Sequence, residues 1–166
     1  SNGRALTDDM VDFFNENEVP VTISWDGYHT KDTRLFDVFL DERLKNRILL
    51  LKYLGLSGVI SSKAYPLELL EAFQNISDEY EAIHGYKVRI NLDEIFDTGL
   101  TNKELLQVDY DRVSNEIYQL AKEYVSSRIS GNMNSSDYTK HAYMENFFQQ
   151  LKHFYINCKG NWDSYT

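Results

Sequence analysis

The sequence predicts an α/β fold, a partial (β/α) barrel of three parallel strands with flanking helices, followed by two C-terminal helices. Three observations carry this. The run Val19-Pro20-Val21-Thr22-Ile23-Ser24-Trp25-Asp26-Gly27 is rich in β-branched residues and stops at a turn pair. Short strand-like runs then alternate with helix-like stripes, which implies parallel pairing through right-handed crossovers. After about residue 109 the rhythm changes to two long amphipathic segments with no strand between them.

The elements follow in order. Thr7-Asp8-Asp9 opens a helix through about Asn17, with Met10, Val11, Phe13 and Phe14 on its apolar face. The first strand tolerates Pro20 only near its start, where a missing N–H costs no ladder bond. Tyr28 to Thr33 is polar and turn-like. From Arg34 to about Leu54, apolar residues recur at three and four (Leu35, Val38, Phe39, Leu44, Ile48, Leu51), and Gly55 reads as the cap that closes a helix. Gly58 to Ser62 is a short strand. Pro66 suits a first helical position, and Leu67, Leu70, Phe73, Ile76, Tyr80 and Ile83 carry a stripe to Gly85.

Tyr86 to Leu92 alternates as a third strand, ending at Asp93-Glu94, and a loop runs on through Gly99. A helix spans Asp109 to about Ser130, Ser130 to Ser136 is linker-like, and a last helix spans about Asp137 to Tyr155. Ile156 to Thr166 shows no periodicity. Residues 1–130 thus form the barrel portion and 131–166 a C-terminal helix and tail. Three parallel strands leave both edges open, and the chain opens on a helix cap, as though a strand preceded Ser1. Ile23 and Ile60 are expected on the uncovered inner face, which makes the piece marginal in isolation and its edges prone to association.

Charge and composition exclude several classes. With 26 acidic against 17 basic residues, the net charge of −9 repels phosphate backbones, so nucleic acid is not an expected partner. No apolar run is long enough to span a bilayer, and no secretory leader opens the chain. The one cysteine, Cys158, excludes an internal disulfide or multi-cysteine metal site and suits a reducing, cytoplasmic setting. The four histidines show no metal-ligand spacing, so no metal ligand is assigned to this chain. Tyr118, Tyr124, Tyr138 and Tyr143 read as helix packing residues.

Two motifs then carry a resemblance. Ser1-Asn2-Gly3 is followed by Leu6-Thr7-Asp8-Asp9, and Ile23-Ser24-Trp25-Asp26-Gly27 is followed by Asp32-Thr33-Arg34-Leu35-Phe36. In this order and spacing they resemble the ends of the third and fourth barrel strands of the radical S-adenosylmethionine superfamily. The match is to its peptide- and protein-modifying branch with a C-terminal SPASM-type extension. Asn157-Cys158-Lys159-Gly160 is similar to the region where that extension begins. Taken singly, Ser1-Asn2-Gly3 also reads as an appended remnant, and Asp-Gly after a strand as ordinary turn chemistry.

The resemblance implies a fragment, from the end of barrel strand three onward, of an enzyme that cleaves S-adenosylmethionine reductively to a 5′-deoxyadenosyl radical and modifies a peptide or protein. It implies an electron donor and a 4Fe–4S cluster. The family's Cys-x-x-x-Cys-x-x-Cys and glycine-glycine-glutamate are absent here, so the cluster's ligands lie outside this chain and activity in isolation is not expected.

Ser24 and Asp26 would face the cofactor's ribose and Arg34 its carboxylate, while Asn2, Ser61, Asn91 and Asp93 would line the same mouth. A hydroxyl and a carboxylate suit a vicinal diol, and a guanidinium pairs with a carboxylate. No catalytic residue is named. Each position also has a plainer reading: turn-capping for Ser24 and Asp26, a surface arginine at a helix start for Arg34, loop and cap duties for the others. A non-catalytic α/β module using the same strand mouth for a small ligand or peptide is the alternative function.

Overall fold

The rows of the sheet explain the fold. A computed structural model describes residues 1–132 and 134–162. Strands β1 (Val21–Ser24), β2 (Leu54–Ile60) and β3 (Arg89–Glu94) pair in parallel in the order β1-β2-β3. The register sets Ile23 beside Leu56 and Leu56 beside Ile90, an apolar row that is buried throughout. One pleat away, Thr22, Gly55 and Arg89 align, and then Ser24, Ser57 and Asn91. Thr22, Arg89 and Asn91 are exposed and Ser24 and Ser57 half-buried. One face of the sheet is therefore packed and the other is open and polar.

Sequential order with crossovers of one hand places the connecting helices on the packed face. Between β1 and β2 the chain forms α2 (Thr30–Arg34) and α3 (Glu42–Leu49), each preceded by a 3₁₀ turn, at Gly27–His29 and Val38–Leu40. Helix α4 (Pro66–His84) joins β2 to β3, and α1 (Asp8–Glu16) precedes β1. Helices α5 (Tyr110–Ser130) and α6 (Tyr138–Trp162) pack on α4 and on each other. Helix α6 also lies along β3, where the Tyr138 hydroxyl donates to the Val88 carbonyl at 3.0 Å. Phe73, Tyr80, Leu70 and Met144 are fully enclosed at the centre of the helical layer. No helix among the described residues is long and apolar enough to cross a membrane.

Several sequence expectations are met. Three parallel strands in sequential order are present, α4 starts at Pro66 and ends at Gly85 with φ +76, and α5 is capped by Asp109. The open face and the sheet order give an α/β sheet with helices on one side.

Others are corrected. The expected helix 34–54 is broken: Leu35 takes φ +65 and stands 94% exposed, and Asp37 and Asp41 each accept backbone N–H groups that start new elements. Such local side-chain bonds compete with helix continuation. Gly55 is a strand residue, because Leu54, Leu56, Gly58 and Ile60 already alternate with period two. Asp93 and Glu94 remain in β3, paired with Val59 and Ile60.

Ile23 and Ile60 are 0% and 5% exposed, so the apolar side of the strands meets the helices and the uncovered face is the polar one. The expected aperiodic tail is helical as far as Trp162, while Asp163–Thr166 lie outside the described residues.

Candidate functional site

The carboxyl ends of the strands surround a cavity of about 610 Å³, and four of the seven candidate residues line it: Asp26, Arg34, Ser61 and Asp93. Its size is that of a small-molecule site, and its place is where ligands bind in parallel α/β sheets. Thr33, Val59, Glu94 and the loop after β3 (Ile95, Phe96, Thr98, Thr101, Leu105) complete the wall.

Asp26 sits two residues beyond the end of β1 and is 3% exposed. Its Oδ1 accepts from Arg34 Nη2 and from the Val59 backbone N–H, both at 3.0 Å. Its Oδ2 accepts from Arg34 Nε and the Thr33 hydroxyl, both at 2.7 Å. A carboxylate offers about four lone-pair sites, and all are taken. Gly27 allows the sharp exit after it: φ is +59, and a Cβ there would stand 3.0 Å from the Ala72 Cβ. Thr30 closes the turn, receiving the Asp26 N–H and donating to the Gly27 carbonyl.

Arg34 ends α2, where the sequence suggested the start of a helix. Two of its donors are committed to Asp26, and its half-buried guanidinium still faces the cavity. Ser24 projects from the open face beside Ser57, while its backbone N–H reaches the Ser1 carbonyl at 2.6 Å. Ser1 also donates to the Thr22 carbonyl, so this residue continues the sheet in parallel alongside β1. Gly3 is buried at φ +73, and a Cβ there would stand 3.2 Å from Ile48 Cδ1 and 3.3 Å from Ile23 Cδ1, so glycine suits the position by both backbone and space.

Asn2 is exposed, accepts from the Arg4 N–H, and is not brought to the cavity. Asn91 lies on the open face and donates to Asp93 Oδ1 at 2.9 Å. Ser61 is buried at the cavity wall, where its Oγ accepts the Lys63 N–H. His29, also near the mouth, is 38% exposed at its side chain, with Nε2 3.4 Å from Glu68 and Nδ1 3.7 Å from Asp32.

Three participants were not anticipated. Thr33 and the Val59 amide hold Asp26, and Ser57 donates to Asp93 Oδ2 at 3.1 Å across the strands. Starting β2 at Leu54 would have shown Ser57 in line with Ser24, since the period-two pattern begins there. The loop over the cavity is tied by Asp97, whose carboxylate accepts from the Lys103 ammonium at 2.5 Å and the Gly99 N–H at 2.8 Å. The Lys103 bond, with the Gly99 N–H, holds the Asp97 carboxyl below its ordinary range.

The described side chains contain no group of three His, Cys, Asp or Glu able to hold a metal ion. With one cysteine in the sequence, this chain does not fit a 4Fe–4S cluster. The open face carries hydroxyls and a carboxylate, and the Arg34 guanidinium stands at the cavity.

Fold and site together define a parallel α/β unit with a one-sided helical layer and a polar strand mouth. No family model matches the chain, and neither the curated proteins nor the solved structures provide a match.

Proposed function

We propose that this chain is the later part of a radical S-adenosylmethionine barrel, contributing cofactor and substrate contacts to an enzyme that modifies a peptide or protein. The observation that carries the reading is the open polar face of the sheet. Parallel sheets are ordinarily covered on both faces, yet here Thr22, Ser24, Ser57, Arg89, Asn91 and Asp93 face away from the helices. The polar face meets a ligand cavity at the carboxyl ends of the strands, the end at which (β/α) barrels carry their active sites. The ladder bonds of Ser1 along β1 support a further parallel strand on that edge.

Within this reading Ser24 contacts the ribose and Arg34 the carboxylate of S-adenosylmethionine, and the peptide enters over the loop of Phe96 and Thr98. The bound cofactor, reduced through a cluster held outside this chain and fed by an electron donor, supplies the hydrogen-abstracting radical. This chain's share is to bind and orient.

A second reading, a non-catalytic α/β module for a small ligand or peptide, is favoured by one fact. Asp26 and Arg34 satisfy each other, so the second motif serves the fold whether or not a cofactor binds. The experiment that separates them uses a longer chain carrying the segment N-terminal to Ser1. It is reconstituted anaerobically with iron and sulfide and titrated with S-adenosylmethionine. The enzyme reading expects about four irons per chain, saturable cofactor binding and 5′-deoxyadenosine on reduction. Ligand binding at the mouth with none of these three favours the module.

A further inference from the structure

The two aspartates at the strand mouth, Asp26 and Asp93, differ in the acceptor sites they have left. Resemblance places the second motif's aspartate against the cofactor's diol, but every acceptor site of Asp26 is filled from within the fold, by Arg34 twice, Thr33 and Val59. A carboxylate so saturated and so buried has nothing left for a sugar hydroxyl.

Asp93 is the opposite case. It is exposed on the open face, lines the cavity, and has neutral partners among the described residues: Ser57 on Oδ2 at 3.1 Å and Asn91 on Oδ1 at 2.9 Å. One donor on each oxygen leaves acceptor capacity on both. Ser57, whose proton goes to Asp93, keeps its own lone pairs, and it sits between Ser24 on β1 and Asn91 on β3 in one row.

We infer that Asp93, held by Ser57 and Asn91, is the acceptor for the vicinal hydroxyls of a ribose, the role that Asp26 cannot take. Two hydroxyls on adjacent sugar carbons each donate to one carboxylate oxygen, while Ser24 and Ser57 supply hydroxyls on the β1 side. The sugar thereby lies against the open face of the sheet with its remainder directed to the cavity and Arg34. Charge favours this arrangement, because an anionic acceptor strengthens a hydroxyl's hydrogen bond. This assignment rests on the proposed reading that the bound molecule is an adenosyl nucleoside.

The test is binding of S-adenosylmethionine, adenosine, 2′-deoxyadenosine and 3′-deoxyadenosine to the longer chain, wild type and Asp93→Asn, with melting curves for both. The wild type should prefer adenosine over each deoxynucleoside by about tenfold, the loss of one charged hydrogen bond. Asp93→Asn, which offers one neutral acceptor oxygen in place of two charged ones, should weaken adenosine more than either deoxynucleoside and abolish the preference over at least one of them, with the melting curve unchanged. Ser57→Ala, which loosens Asp93 without removing it, should narrow the preference part of the way.

Equal loss for adenosine and its deoxy forms would overturn the assignment, as would a preference over both deoxynucleosides that survives in Asp93→Asn. If S-adenosylmethionine binds the wild type and Asp93→Asn alike, the ribose assignment fails alone. If neither S-adenosylmethionine nor adenosine binds the wild type, the enzyme reading fails with it.

Discussion

Arg34 donates Nε and Nη2 to the two carboxylate oxygens of Asp26, at 2.7 and 3.0 Å, across the turn that ends β1. The pair spans eight residues of sequence and also fixes β2, because Asp26 Oδ1 receives the Val59 N–H. One ion pair thus sets the loop that carries the second motif and the junction of the first two strands.

Breaking that pair from the buried side should be costly. Asp26→Ala leaves a guanidinium and a strand amide without their acceptor, while the Thr33 hydroxyl can still donate to the His29 and Thr30 carbonyls, and should destabilise by about 3–5 kcal/mol. Arg34→Ala should cost less, since its side chain is 29% exposed and Asp26 keeps the Thr33 and Val59 donors. The double variant should cost less than the sum. Urea melts of the three variants decide it, and strict additivity would show that the two side chains do not act as a pair.

Two glycines with similar backbones should separate strain from packing. Gly27 and Gly85 have φ of +59 and +76, so alanine at either meets the left-handed penalty of about 1–2 kcal/mol. At Gly85 nothing lies within 4 Å of an added Cβ, whereas at Gly27 the Ala72 Cβ lies at 3.0 Å. Gly27→Ala should therefore lose roughly a further 1–3 kcal/mol from overpacking. Thermal melts that rank the two equally would refute the contact.

What could be read from the sequence divides along these same lines. Strand order, the span of α4 and the start of α5 were legible, because period-two and 3.6-residue patterns and the Pro66, Gly85 and Asp109 signals agree locally. The break at Leu35 was not, since Val38, Phe39, Leu44 and Ile48 bury equally well from two short elements as from one helix. Only the capping bonds of Asp37 and Asp41 decide between them. At the site, the gathering of Asp26, Arg34, Ser61 and Asp93 followed from strand ends. That Asp26 faces Arg34 and not the open side did not, because period two fails once the strand stops at Ser24.

The loop over the cavity should respond to acid. Asp97 has its carboxyl held low by Lys103 and the Gly99 N–H, so its folded-state value lies below the unfolded one. The stabilisation is then fully present above the unfolded value of about 3.9 and disappears as pH falls through the lowered one. The protection of the Gly99 and Thr98 amides, relative to their intrinsic exchange rates at each pH, should hold from pH 7 down to about pH 4 and be lost below it. In Asp97→Asn that acid dependence should vanish. A loss centred near neutrality would assign the opening to another group.

Ser24 offers the cleaner test of cofactor contact than Arg34. Arg34→Ala removes a cavity donor and an ion pair of the fold at once, so weaker binding in that variant mixes recognition with loss of structure. Ser24 holds its place by backbone: its N–H reaches Ser1, its register partner is Ser57, and its hydroxyl makes no hydrogen bond among the described residues. Ser24→Ala should leave the melting curve within about 0.5 kcal/mol of wild type, as surface changes away from special features do. Losing one neutral hydrogen bond to a ribose hydroxyl costs about 0.5–1.5 kcal/mol, which lowers affinity roughly two- to tenfold. The measurement is an S-adenosylmethionine titration of the longer chain beside a melt of each variant. Unchanged affinity in Ser24→Ala, with the loss in Arg34→Ala matched by unfolding, would remove the motif's support for cofactor binding. The open face would then belong to a different ligand.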